Sequence, residues 1–284
     1  MTLAVGIEEI GDGLLRTRGA DVDIAFRVRG SGPAVVLLHG TSANHAVWEQ
    51  IGDGLEDHAT VIAIDQRGHG RSDKPSTGYT GRDFAGDVVT VLDALGIGQA
   101  VVAGHSLGGR NAWLVGALHP DRVTGVVVVD YTPYVEPEVL DELEVRVAGG
   151  FRSFRSTAEV EAYLRARYTA ILPGAVERRA RWGYAAQADG TLVPHADPEA
   201  MRQLIDGFRT PWDDAFRSVR APMVHLRGAE SRIVSEAAWD AAITDRPGDR
   251  WVVVDGADHY IPEEFPDLVT AELDRVLGAR IRKD

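Results

Sequence analysis

The sequence predicts an α/β fold: a mostly parallel, eight-stranded sheet flanked by helices, with a helical block inserted after the sixth strand. Three observations lead there. Short β-branched runs alternate with longer helix-period stretches. One serine stands in a Gly-x-Ser-x-Gly turn between such a run and such a stretch, and about eighty residues after it break the alternation.

Taken in order, "GLLRTRG" and "VDIAFRVRG" read as an opening antiparallel pair. "AVVLLHG" (34–40), "TVIAID" (60–65), "AVVAGHS" (100–106) and "TGVVVVD" (124–130) suit central strands buried on both faces. "APMVHLRG" (221–228) and "RWVVVDG" (250–256) complete the eight. "GRDFAGDVVTVLDALG" (81–96) and the stretch opening at Leu107 carry helical spacing. From Thr132 to about Pro211 no strand is legible, only helical patterns such as "EVLDELEVRVAG", "AEVEAYLRARY" and "DPEAMRQLIDGF". The expected organisation is a core of residues 1–131 and 212–284 with a helical cap, 132–211, over the strand ends.

Composition narrows the function. The 284 residues carry a net charge of −13 and no cysteine. The acidity argues against nucleic acid and anionic membrane as partners. Without thiols there are no disulfides, thiolate zinc sites or cysteine nucleophiles. The start, "MTLAVGIEEIGDG", lacks the basic and apolar blocks of a signal peptide, so the expected location is the cytoplasm. The basic residues are nearly all arginine, so a charged anchor for an anionic substrate is expected to be Arg.

Gly104-His105-Ser106-Leu107-Gly108 fits the turn that holds the nucleophile in α/β-hydrolases. A strand precedes it and a helix follows, as that chemistry needs, and glycines at 104 and 108 allow a sharp turn. Ser106 then stands at a helix N-terminus, where free N–H groups favour developing negative charge. "LLHGTSANHAVW" (37–48) ends a strand where this fold places the rest of its oxyanion hole. The expected donors are the backbone N–H groups of Thr41 and Leu107; the His39 side chain is read as a brace of the loop. "DQRGHGRSD" (65–73) is read as scaffold.

His259, in "VVVDGADHYIPEEF", is the expected base: it follows the last strand and is the last histidine, matching the order serine, acid, histidine. The acid is less direct. The strand "MVHLRGAESRIV" leads to Ser231 where most α/β-hydrolases carry Asp, and a hydroxyl cannot stabilise an imidazolium as a carboxylate does. Asp130 ends the preceding valine run, where a buried carboxylate needs a partner, and it is the preferred acid. Glu230, Asp255 and Asp258 remain alternatives.

The cap is more specific than the triad. "DYTPYVEPEVLDELEVRVAGG" (130–150), "VEAYLRARY" (160–168), "RGAESRIVS" (227–235) and "GADHY" (256–260) resemble the (E)-2-(acetamidomethylene)succinate hydrolases of vitamin B6 degradation. The resemblance runs from "HGTSANHAVW" through nearly the whole chain. It implies a Ser106–Asp130–His259 triad, and substrate carboxylates held by Arg146, Arg167 and Tyr168. Guanidinium forks suit that task because they bind carboxylates bidentately and stay charged when partly desolvated. Tyr260 and Trp239 are further pocket candidates. Thr41, His45, Gly109 and Trp113 stand where the resemblance leads to other residues, at positions expected to line or support the pocket.

The expected activity is therefore serine-dependent hydrolysis of the amide bond of a small carboxylated acylamino compound, with no metal or organic cofactor. The expected partner is that small molecule, with a homodimer compatible with the sequence. A carboxylesterase or lactonase shares every catalytic part, a C–C bond hydrolase is a further enzymatic reading, and a ligand receptor on the same fold is the non-enzymatic one.

Overall fold

The computed structural model describes residues 6–281. The chain runs β1 (Ile7–Gly11), β2 (Leu14–Arg18), β3 (Asp23–Arg29), β4 (Ala34–Leu38), α1 (Glu49–Leu55), β5 (Thr60–Ile64), α2 (Gly81–Ala94), β6 (Ala100–His105), α3 (Leu107–Leu118) and β7 (Val123–Val129). It continues through α4 (Pro137–Ala148), α5 (Thr157–Arg167), α6 (Pro173–Trp182), β8 (Tyr184–Ala186), β9 (Leu192–Pro194), α7 (Pro198–Phe208) and α8 (Asp213–Ser218). It closes with β10 (Met223–Gly228), α9 (Glu236–Asp245), β11 (Arg250–Val254), α10 (Ile261–Glu264) and α11 (Pro266–Ile281).

The main sheet has nine strands in the order β1-β2-β3-β5-β4-β6-β7-β10-β11, not eight. The extra strand is β1, which pairs antiparallel with β2 through the two-residue turn Asp12-Gly13. Both turn residues have positive φ, the conformation an Asp-Gly hairpin supplies. From β5 to β11 the neighbours are parallel.

The valine-rich strands are buried on both faces because alternate side chains enter separate cores. Val36, Leu38, Val102, Val126 and Val128 join the layer of α2, α3 and α7. Val35, Leu37, Val101, Val127 and Val129 join the layer of α1 and α11. The chain leaves β4 toward β5 on one side and returns to β6 on the other. That reversal opens a crevice beyond the carboxyl ends of β4 and β6, the usual ligand position in such sheets.

Between β7 and β10 lie α4 to α8 and one correction. Tyr184–Ala186 and Leu192–Pro194 form an antiparallel hairpin where only helices were expected. Three-residue strands are too short to leave a periodic signal. Helices α5 and α6 bury a small core of their own around Phe154, Val160, Leu164 and Val176. The apolar face of α7, with Met201, Leu204, Ile205 and Phe208, packs into the main core instead.

Candidate active site

Ser106 terminates β6 with φ 53 and ψ −116, outside the regions a non-glycine residue normally occupies. The turn is possible because two neighbours lack side chains. A Cβ on Gly104 would stand 1.9 Å from the Gly108 carbonyl oxygen, and one on Gly108 would stand 2.0 Å from that of Leu38. The Ser106 N–H is tied to the Val129 carbonyl at 2.9 Å. Four described non-glycine residues have positive φ; Asp12 is in the hairpin, and the other three are Ser42, Ser106 and Asp130. Backbone strain thus gathers where candidate chemistry does.

The loop after β4 lies directly on this turn. A Cβ on Gly40 would come 2.8 Å from His105 Nδ1 and 3.4 Å from Ser106 Cβ. Among the described residues, the N–H groups of Thr41 and Leu107 donate no hydrogen bond, as the donors of an oxyanion hole require. The Thr41 hydroxyl is also buried without a partner there. His39 does not reach the cavity as a functional group. Its Nδ1 bonds the Gly40 carbonyl oxygen at 2.8 Å, and its Nε2 accepts the Gln66 N–H at 3.0 Å. Asp65, in the loop read as scaffold, accepts from the His45 and Arg71 N–H groups.

Asp130 is fully buried at the end of β7. Its Oδ1 accepts the Gly228 N–H at 2.9 Å; its Oδ2 accepts the Ser231 hydroxyl at 2.5 Å and lies 2.7 Å from His259 Nδ1. Burial pushes the carboxyl upward, and the Ser231 and Gly228 donors pull it back. Ser231, the residue in the usual acid position, thus supports Asp130 rather than replacing it. Of the alternatives, Glu230 and Asp255 are exposed, and Asp258 is only half-buried. His259 is held below its ordinary value by burial and then by the Arg146 guanidinium, which keeps the imidazole neutral and able to accept a proton. Its main chain is fixed by His105, whose Nε2 donates to the His259 carbonyl oxygen at 2.7 Å.

Ser106 and His259 face one small cavity, shared with Thr41, Arg146, Arg167 and Tyr168. The Arg146 guanidinium donates to the Tyr260 hydroxyl and lies over that ring. Arg167 donates to the Arg146 carbonyl oxygen at 2.7 Å. Neither arginine has a carboxylate partner among the described residues, so both charges are available to an anion.

A residue match places this arrangement in a family. Residues 33–266 match the family described as alpha/beta hydrolase fold. The chain belongs to the α/β-hydrolase family. This hydrolase is 42% identical over 258 residues to the 2-(acetamidomethylene)succinate hydrolase of Mesorhizobium japonicum, covering 91% of this chain and 92% of that one. It superposes on the crystal structure of E-2-(acetamidomethylene)succinate hydrolase with a TM-score of 0.90 and 41% identity, covering 93% of this chain and 99% of the other. The enol-lactonase of Burkholderia xenovorans shares the fold, with a TM-score of 0.73 at 22% identity over 93% of this chain and 99% of that one.

Within the hydrolase, one expected pocket residue lies elsewhere. Trp239, on α9, is buried against Ile233 and Val234 and meets the Trp251 ring edge-on at 4.8 Å, outside the cavity. It was placed by residue type alone, and its helix points it into a side cluster. Of the four positions that depart from the resemblance, Thr41 lines the cavity. His45 is bonded to Asp65 at 2.8 Å, Trp113 packs on Phe216, and Gly109 lies beneath Tyr131.

Arg179 escaped sequence reasoning. It reaches the cavity from α6, with its guanidinium 4.3 Å from the Tyr168 ring centroid and 5.2 Å from that of Tyr260. Its charge is offset by Glu263, which accepts from Nε at 2.8 Å and from Nη2. Against the opposing effect of burial, Arg179, Arg167 and Arg146 hold the Tyr168 phenol below its ordinary value.

Among the described residues, no helix is long and apolar enough to cross a membrane.

Proposed function

We propose that the hydrolase cleaves the C–N bond of a small acylamino compound bearing carboxylates, such as (E)-2-(acetamidomethylene)succinate, through an acyl-enzyme on Ser106. The carrying observation is the pair of guanidinium groups, Arg146 and Arg167, that meet no carboxylate among the described residues yet share a cavity with Ser106 and His259. The name of the 42%-identical relative points to the same substrate class.

In this reading His259 accepts the Ser106 proton as Oγ attacks the acyl carbonyl, while Asp130 fixes the Nδ1–H tautomer and stabilises the imidazolium. The Thr41 and Leu107 N–H groups hold the oxyanion, a contribution on the order of 3 kcal/mol per donor. His259 then gives its proton to the leaving nitrogen as the C–N bond breaks. Water, deprotonated by the same imidazole, releases the acyl group as a carboxylic acid and restores the serine. An enamide eases the step, because charge on the leaving group spreads toward a conjugated carboxylate. Arg146, Arg167 and Tyr168 anchor the carboxylates, and the inserted α4–α7 segment acts as the cap that excludes water. The reading places this reaction in the cytoplasm.

Parallel kinetics on the diacid amide and on a neutral short-chain ester test the anchor. Arg146→Ala should depress kcat/KM for the diacid about 100-fold, the cost of a lost charge-assisted pair, and affect the ester far less. Equal losses on both substrates would remove the carboxylate-anchor reading.

A further inference from the structure

Beside the cavity over Ser106 lies a second lobe, which adjoins it along Ser42, Ala43, Val147, Arg167, Tyr168 and Arg179. The two lobes differ in what they touch. Ser106, His259, Tyr260 and Arg146 line only the first, whereas Val47, Phe151, Leu164, Pro194 and Ala196 line only the second. The reaction geometry assigns the sides. The leaving nitrogen must face His259 to be protonated, and the oxyanion must face the Thr41 and Leu107 N–H groups. The remaining substituent on the tetrahedral carbon, the acyl chain, then points away from His259, past the Thr41–Ala43 loop. That direction is the second lobe.

We infer that this lobe is an acyl subsite, and that the hydrolase takes linear acyl groups longer than acetyl, of about four to six carbons. The lobe offers the centres of water-sized molecules about 50 Å³ of space, room for about three to five waters at about 10–15 Å³ each, so an acetyl methyl, about the size of one water, would leave most of it unfilled. The walls suit a short alkyl chain: of the ten positions that belong to the lobe alone, seven are aliphatic or aromatic, and the others are Gly150, Gly183 and Asn44. Tyr163 argues against mere loose packing. It lines the same lobe, and its hydroxyl is buried with no hydrogen-bond partner among the described residues, which is expected where a ligand or its water completes the site. Arg146 and Tyr260 on the other side, with Arg167 and Tyr168 on the border between the lobes, are left to the carboxylated leaving group. The inference rests on the serine-hydrolase reading above and specifies its acyl specificity.

A chain-length series separates the two. The p-nitrophenyl esters of acetate, butanoate, hexanoate and decanoate carry one leaving group and no carboxylate, so only the acyl side varies. The kcat/KM for butanoate should exceed that for acetate about tenfold, from two buried methylenes. Hexanoate should hold that gain and decanoate should lose it. Ala196→Leu, which fills the lobe, should lower the hexanoate-to-acetate ratio by about tenfold. A kcat/KM that falls steadily from acetate onward overturns the inference while leaving the serine chemistry intact, and this arm needs only the unaltered enzyme. An enzyme inert toward every ester overturns the serine reading and the inference together. A ratio unmoved by Ala196→Leu places the chain elsewhere and also overturns it.

Discussion

Replacing Asp130 by Asn tests the acid through the tautomer it imposes. The carboxylate accepts three hydrogen bonds, from the Gly228 N–H on Oδ1 and from Ser231 and His259 on Oδ2. An amide offers one acceptor and one donor. With its oxygen toward Gly228, its NH2 faces Ser231 and His259. The Ser231 hydroxyl, whose oxygen already accepts the Ile233 and Val234 N–H groups, loses its acceptor, and the imidazole must then present a bare Nδ1 and carry its proton on Nε2. In that tautomer it cannot take the Ser106 proton. The opposite flip sets NH2 against the Gly228 N–H, a buried donor–donor contact costing about 1–3 kcal/mol. The first arrangement therefore prevails, and kcat should fall about 10⁴-fold, or roughly 5–6 kcal/mol of barrier. Thermal unfolding should change little, since removal of a fully buried charge offsets the one hydroxyl left without an acceptor. Steady-state kinetics on a neutral ester, with Glu230→Gln as the exposed control, read this directly. A kcat within tenfold of the parent, or a comparable loss in Glu230→Gln, would refute the assignment.

Other expectations rest on equally local geometry. Arg179→Met leaves Glu263 buried and unpaired and should cost about 3–5 kcal/mol in chemical denaturation; pairing it with Glu263→Leu should recover most of that. Arg146→Ala removes a charge that holds the His259 imidazole neutral, so the acid limb of kcat/KM should move to higher pH, whereas Arg146→Lys should leave it in place. Gly108→Ala puts a Cβ 2.0 Å from the Leu38 oxygen and 2.8 Å from that of His39, and should abolish activity with a clear loss of thermal stability. His39 and His69 are buried, and burial lowers them to about 4 and about 3. Below the ordinary value near 6.5 the unfolded chain binds protons that the fold refuses, so each costs about 1.4 kcal/mol per pH unit down to its folded value. Denaturation midpoints from pH 7 to 5 should fall, and His69→Gln should flatten the slope.

The parallel strands were legible because β-branched runs buried on both faces have few other uses, and because glycines mark their ends. The same logic exposed Asp130: a valine run that stops at a carboxylate leaves a charge in need of a partner. What escaped depends on pairing across distance or on very short elements. The Asp12-Gly13 turn signals a hairpin, but "IEEIG" is too polar on its own to read as a strand. Arg179 sits in "VERRARW", which reads as a solvated face; its partner Glu263 lies 84 residues away, and only the tertiary fold reveals a buried pair over the cavity. Ser231 looked like a missing acid because a strand end says nothing of the neighbouring strand's side chains. Trp239 shows the converse, since an aromatic residue near a site packs wherever its helix face points.

The most direct test of the account is product formation from (E)-2-(acetamidomethylene)succinate by the unaltered enzyme. The account expects one acetate released per diacid consumed, with turnover lost in Ser106→Ala. An enzyme that leaves the diacid intact while hydrolysing neutral esters would contradict it.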